Sequence, residues 1–126
     1  MSQLRITAAL AAVLLLAGCG GQSALRQEAK NLQSLAAEGG LLAGDAARGR
    51  STSVFTREHA GFLVAAAKSS ATTLAQGPRP LAKVAARVSD DLDRLARSGS
   101  NRAEQRRLSA DLTRAAKAVA KLGQSL

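Results

Sequence analysis

The chain has 126 residues, 18 Lys+Arg against 9 Asp+Glu, a formal charge of +9, one Cys, one His, two Phe and no Trp or Tyr. That length holds one small domain, and 46% hydrophobic residues is too apolar for a charge-swollen disordered chain. A single Cys excludes an intrachain disulfide framework and a Cys-based zinc site, a single His excludes a multi-His metal centre, and two Phe argue against an aromatic-lined pocket or a base-stacking surface.

Met1 to Arg5 carries one positive charge, Arg5, and Ile6 to Leu16 is an apolar run of eleven residues broken only by Thr7. Such a run is too short for a hydrocarbon core of about 30 Å, which takes ~20 helical residues. It fits the apolar region of a secretory signal peptide, with a basic start and small residues after it. A buried N-terminal helix would explain neither the small-residue step nor the cysteine behind it. Leu16-Ala17-Gly18-Cys19 resembles the lipobox of bacterial lipoproteins, a Leu-small-small-Cys pattern that ends a signal peptide. The resemblance implies a diacylglyceryl group on the thiol of Cys19 and a dedicated signal peptidase that recognises Leu16, Ala17 and Gly18. It implies cleavage between Gly18 and Cys19, and a protein anchored to a membrane on the extracytoplasmic side of a bacterial cell envelope. One acyl chain binds a membrane only marginally, at ~0.8 kcal/mol per buried CH₂, whereas two or three on one Cys anchor stably. Cys19 is then an attachment point rather than a redox or catalytic thiol. Gly20 follows it, so the Asp-type inner-membrane retention signal of some lipoproteins is absent, and the target membrane stays open. The expected organisation is a signal peptide over 1–18, a lipidated tether over 19–21 and a folded domain over 22–126.

The mature part is expected to build its core from Leu, Val, Ala and the two Phe, since the only Ile and Met lie in the leader. That composition favours helix, and no sustained period-2 alternation appears. The first helix is expected from about Gln22 to Arg48, on a stripe of Leu25, Ala29, Leu32, Leu35 or Ala36, Leu42 and Ala46. Gly39-Gly40 lies inside it and weakens it by ~1 kcal/mol per Gly, marking a place for a bend or break. The second helix is expected to start after Ser51 or Ser53, to carry Phe55, Phe62, Leu63, Ala66, Ser70 and Leu74, and to end at Gln76-Gly77. Gly77-Pro78-Arg79-Pro80 is the clearest breaker, with Pro80 suited to a first helical turn. The third helix shows Leu81, Val84, Ala85, Val88, Leu92 and Leu95 without a miss. Asn101 with Glu104 three residues later predicts a capping box, and the fourth helix follows with Leu108, Leu112, Ala115, Val119 and Leu122.

Short loops make sequential helices antiparallel neighbours. The expected fold is therefore all-α, an up-down-up-down four-helix bundle, with a looser helical array completed by self-association or a partner as the other architecture. Gly40-Leu41-Leu42-Ala43-Gly44 is a GxxxG pattern. In a helix outside the membrane it marks close helix contact more readily than dimerisation.

From residue 79 onward eleven basic side chains face five acidic ones, a net +6, whereas residues 19–78 carry only +2. On the fourth helix Arg106, Arg107, Arg114, Lys117 and Lys121 fall within about a third of the circumference, opposite the Leu108/Leu112/Val119 seam. An ordinary solvated face explains this stripe. Contact with an anionic partner explains it too, and a tether of a few residues at no more than ~3.6 Å each would hold the bundle close to anionic headgroups or envelope polymers. A pI near 11.3 usually points to nucleic acid, but export and the lack of a stacking platform remove that partner.

Glu58-His59 lacks the second His or spaced carboxylate of a metal or base motif, so His59 is expected as a half-buried packing or capping residue. Asp90, Asp91 and Asp93 form a DDxD that could hold Mg²⁺ only if the carboxylates shared a cavity. Arg87, Arg94 and Arg97 stand three or four residues away and predict exposed helix ion pairs instead, with Asp91 edging toward the seam. No P-loop, GxSxG or dinucleotide fingerprint is present. No catalytic residue, cofactor or metal is expected. The expected role is a non-enzymatic structural or protein-interaction lipoprotein, with an anionic-lipid or cell-wall-polymer binding module as the alternative.

Overall fold

The computed structural model describes the backbone from Ser2 and side chains from residue 21 onward. The lipobox residues Leu16, Ala17, Gly18 and Cys19 lie outside the described side chains. Four helices follow one another: α1 (Ser2–Ala47), α2 (Ser53–Leu74), α3 (Arg79–Ala96) and α4 (Arg102–Gly123). Each packs on its sequence neighbours, α4 closes back on α1, and α2 and α4 stand at opposite corners. This is the expected all-α four-helix bundle. Among the described residues no helix is long and apolar enough to cross a membrane.

α1 runs unbroken through Gly39-Gly40, and the expected bend or break is absent. The reason is packing. A Cβ on Gly39 would lie 2.4 Å from Leu92 Cδ2 and 3.3 Å from Leu112 Cδ1, and one on Gly40 would lie 2.9 Å from Thr113 Oγ1. The pair opens a notch that seats α3 and α4, so tertiary contact outweighs the loss of helix propensity. Ser109 Oγ, from α4, donates to the Gly40 carbonyl at 2.8 Å and lies beside Gly44. The GxxxG stretch therefore marks close α1–α4 contact. At the other end of this pair, Arg26 Nη2 and Nε donate to the Leu126 carbonyl at 2.7 and 3.2 Å.

The helix ends follow local rules with two departures. The N-cap of α2 is Thr52, between the two expected serines, and its hydroxyl accepts from Phe55 N at 3.2 Å. Pro80 sits in the first turn of α3 as expected. Asn101 caps α4 by accepting from Glu104 N at 3.1 Å. Only this half of the capping box forms, because the Glu104 carboxylate turns away to Arg107, which donates to both of its oxygens at 2.8 Å. Gly49 and Gly99, with φ of +73° and +56°, supply the left-handed residues of the α1–α2 and α3–α4 turns.

The core is a column of Leu32, Leu63, Leu74, Leu81, Leu92, Leu95, Leu108 and Leu112, filled out by Val and Ala. The two Phe are not in it. Phe55 is 55% exposed and Phe62 74% exposed, which corrects their expected place on the α2 seam. At 100° per residue they lie across the helix from Ala60 and Ala67, both fully buried. That face of α2 buries Thr56, Ala60, Leu63, Val64, Ala67, Ser70 and Leu74, with small residues at closest approach and no volume for an aromatic ring. Thr56 and Ser70 are satisfied inside: Thr56 Oγ1 donates to the Thr52 carbonyl at 2.8 Å, and Ser70 Oγ donates to Glu28 Oε2 at 2.7 Å.

These contacts separate two glycines of equal helix propensity. Gly39→Val should destabilise the bundle by about 1–3 kcal/mol through overpacking against buried Leu92 and Leu112. Gly61→Ala, where an added Cβ meets nothing within 4 Å, should stabilise it by up to ~1 kcal/mol. Urea midpoints of the two variants should move in opposite directions.

Candidate functional site

Three surface features of the bundle carry its recognisable chemistry. The first is the outer face of α4. Arg106, Arg107, Arg114, Lys117 and Lys121 are all exposed, on the side away from buried Leu108, Leu112 and Val119. Two of the five are partly neutralised within their own helix, Arg107 by Glu104 and Arg114 by Asp111. The hydrogen bonds that Arg107 donates to Glu104, and then the Glu104 charge, hold Arg107 still more firmly protonated. Arg106, Lys117 and Lys121 have no carboxylate within ion-pair distance among the described residues. Sequence spacing missed Arg48. From the end of α1 it joins Arg106 and Arg114 around a groove of about 510 Å³. Spacing reports only residues on one helix, and the α1–α4 pairing brings Arg48 there.

The second feature is the outer face of α2, where Val54, Phe55 and Phe62 are solvent-exposed. The ring of His59 stacks on Phe55, with centroids 5.5 Å apart and planes 7° from parallel. His59 Nε2 also lies 2.8 Å from Glu38 Oε1 on α1. His59 is thus half-buried, as expected, and its acidic partner is Glu38, 21 residues away in the chain. Neighbours on a helix diverge, whereas residues facing across a helix pair converge.

The third is a groove of about 640 Å³ between α3 and α4, lined by Asp90, Asp91 and Asp111 together with Lys83, Arg87, Arg94 and Arg114. The DDxD residues part company here. Asp93 pairs with Arg97, as expected for an exposed helix ion pair. Asp90 is exposed, and Asp91 is 5% exposed with no donor on its Oδ2 among the described residues. The expected ion pairing therefore fails for Asp90 and for Asp91, although the inward lean of Asp91 is as expected. Burial, reinforced by the facing charge of Asp111, pushes the Asp91 carboxyl above the ordinary carboxylate range, while Arg94, Arg87 and Arg107 pull it back. Among the described residues no three potential ligands are grouped to hold a metal ion.

Comparison with protein-family models, curated proteins and solved structures finds no match for the chain.

Asp91 makes stability depend on pH in a definite direction. A carboxyl raised in the folded state favours folding below its unfolded pKa and loses that contribution as pH rises through the folded one. Asp91→Asn should therefore raise the urea midpoint at neutral pH, and the advantage should close as pH falls below about 4. Urea titrations of both proteins across that range check the sign.

Proposed function

We propose that this chain is a lipid-anchored lipoprotein of the bacterial cell envelope that works by binding rather than by catalysis, presenting the outer face of α2 to a protein partner. The observation that carries the interaction is the exposure of both aromatic side chains of the chain on one helix face, Phe55 and Phe62. A bundle short of large apolar side chains would gain stability by burying them, at ~25 cal/mol per Å². Large exposed aromatics near one another are a common mark of a surface that becomes covered. The anchor is supported by Leu16-Ala17-Gly18-Cys19, the residues that resemble a lipobox. The non-enzymatic reading is supported by the directions of the titratable groups. His59 is engaged with Phe55 and Glu38, and Asp93 with Arg97.

A second reading is favoured by the uncompensated cations of α4. Arg106, Lys117 and Lys121, joined by Arg48 and Arg114, form a basic surface suited to anionic lipid or cell-wall polymer. Each Lys or Arg near an anionic surface contributes about 1 kcal/mol and is screened by salt.

Two measurements test the main reading. Cys19→Ser should abolish lipid attachment, giving a protein without the acyl mass and without processing before residue 19. A processed Cys19→Ser chain that fractionates normally with membranes would sink the anchor. Phe55→Ala with Phe62→Ala should leave the urea midpoint within about 0.5 kcal/mol of the parent and remove envelope crosslinks from photo-crosslinkers placed beside the α2 face. Crosslinks that persist unchanged would reject the α2 surface.

A further inference from the structure

The acids of α1 and α4 are sorted away from the outer groove that the two helices form together. We propose that this groove binds a linear phosphate polymer, laid along the bundle axis between two walls of cations. The proposal rests on the second reading above, an anionic envelope partner, and moves its contact from the outer face of α4 into the α1–α4 groove.

On α1, Glu28 accepts from Ser70 and Glu38 meets His59, both on α2. Asp45 follows Glu38 by seven residues, which places it on that same side. On α4, Glu104 is held by Arg107, and Asp111 is held by Arg114 and lines the α3–α4 groove. What lines the α1–α4 groove is cationic. At one end Arg48 from α1 and Arg106 and Arg114 from α4 surround the hollow of about 510 Å³, which no carboxylate side chain lines. At the other end a hollow of about 330 Å³ is lined by Arg26 and Lys30 of α1, again without a carboxylate side chain. Between them, Lys117 stands four residues after Thr113 and three before Ala120, which line one hollow each, so it continues the same wall. Arg26 is turned to Leu126, and Arg114 to Asp111. Lys30, Arg48, Arg106 and Lys117 are exposed and take part in none of the ion pairs among the described residues.

The spacing of these cations selects a strand over a single acid group. Lys30 and Arg48 stand eighteen residues apart on one continuous helix, about 27 Å at 1.5 Å per residue. A lone phosphate meets one end of that distance, and a polymer meets both. The floor selects the kind of polymer. Ala29, Ala120 and Gly123 in one hollow, and Gly44, Ala47 and Ala110 in the other, are small and apolar. Their backbone groups are spent on helical hydrogen bonds. An acidic peptide would lay its own N–H and C=O groups against a surface that cannot match them. A phosphate chain carries its charge on the backbone itself, and guanidinium groups fit its oxyanions in bidentate fashion. Nucleic acid shares that backbone, but Phe55 and Phe62 stand on α2 and give bases no stacking partner in this groove. The cations line the walls of a groove, where a slim chain meets both sides and a flat bilayer does not.

The test holds the full chain in neutral phosphatidylcholine vesicles and titrates it with long-chain polyphosphate by calorimetry. Tripolyphosphate, polyglutamate and oligothymidylate are separate arms. Saturable binding of the long chain is expected, at least about tenfold tighter per phosphate than tripolyphosphate, which reaches one end of the groove only. Polyglutamate and oligothymidylate should bind more weakly than polyphosphate. Lys30→Gln with Arg48→Gln, two exposed changes on the α1 wall, should weaken polyphosphate binding by at least about tenfold and leave the urea midpoint in place. The slope of log affinity against log salt should fall by about 0.7 for each cation removed, a readout that a merely structural role would not move. Lys68→Gln on α2 should change neither. Tripolyphosphate binding as tightly per phosphate as the long chain, tighter binding of polyglutamate or oligothymidylate, or unchanged affinity in the α1-wall variant overturns the proposal. Two outcomes separate it from the reading it rests on. Polyphosphate binding that survives Lys30→Gln with Arg48→Gln but is lost in Arg107→Gln with Lys121→Gln rejects the groove and keeps the outer face of α4. No polyphosphate binding, with salt-sensitive clustering onto phosphatidylglycerol vesicles, does the same, and the absence of both rejects the basic surface altogether.

Discussion

The bundle depends on how closely its helices approach α1. Gly39 and Gly40 leave no side chain where Leu92, Leu112 and Thr113 stand, and Ala36 and Ala43 flank them fully buried. A strip of small residues brings the axes of neighbouring helices toward the short end of the roughly 8–10 Å range. It also lets α3 touch α1 across the bundle diagonal at Leu92. The leucine column of α3 and α4 can then interlock with α1 although few residues are large.

Close packing of small residues has a consequence for the surfaces. With Ala60 and Ala67 facing inward on α2, the rings of Phe55 and Phe62 have nowhere to go but out. With Ala115 and Ala118 on α4, the α3–α4 boundary opens as a groove deep enough to enclose Asp91. The exposed aromatics, the orphaned carboxylate and the polar groove are thus products of one packing choice. They are also the places where the bundle gives up stability, since apolar area stays wet at α2 and a carboxylate stays unpartnered at α3.

Charge is arranged by similar geometry. Within helices three of the acids take a cation three or four residues away, Asp93 with Arg97, Glu104 with Arg107 and Asp111 with Arg114. Such exposed pairs contribute little to stability, but they decide which cations remain free. What is left is a basic face on α4 that the end of α1 extends through Arg48, and a separate cationic margin around Asp91 on α3. The proposed envelope setting supplies anionic chemistry to the first of these.

The helices, their order and most of their ends were legible in the sequence, because periodic Leu, Val and Ala, Pro80, and Asn101 with Glu104 act over one or two turns. The basic stripe of α4 was legible for the same reason, as was the resemblance of Leu16 to Cys19 to a lipobox. Which apolar residues go inside was not. Phe55 and Phe62 sit at a spacing that serves either face of α2, and only the space left by the neighbouring helices chooses between them. Gly39-Gly40 reads as a weakness along one helix and becomes a seat for two others. Asp91 reads as one of three acids among arginines, and only the meeting of α3 with α4 buries it opposite Asp111. The amino-acid order by itself determined what acts within a helix. The tertiary structure decided what depends on the distance between helices, because burial, cavity space and facing charge do not exist until two helices meet.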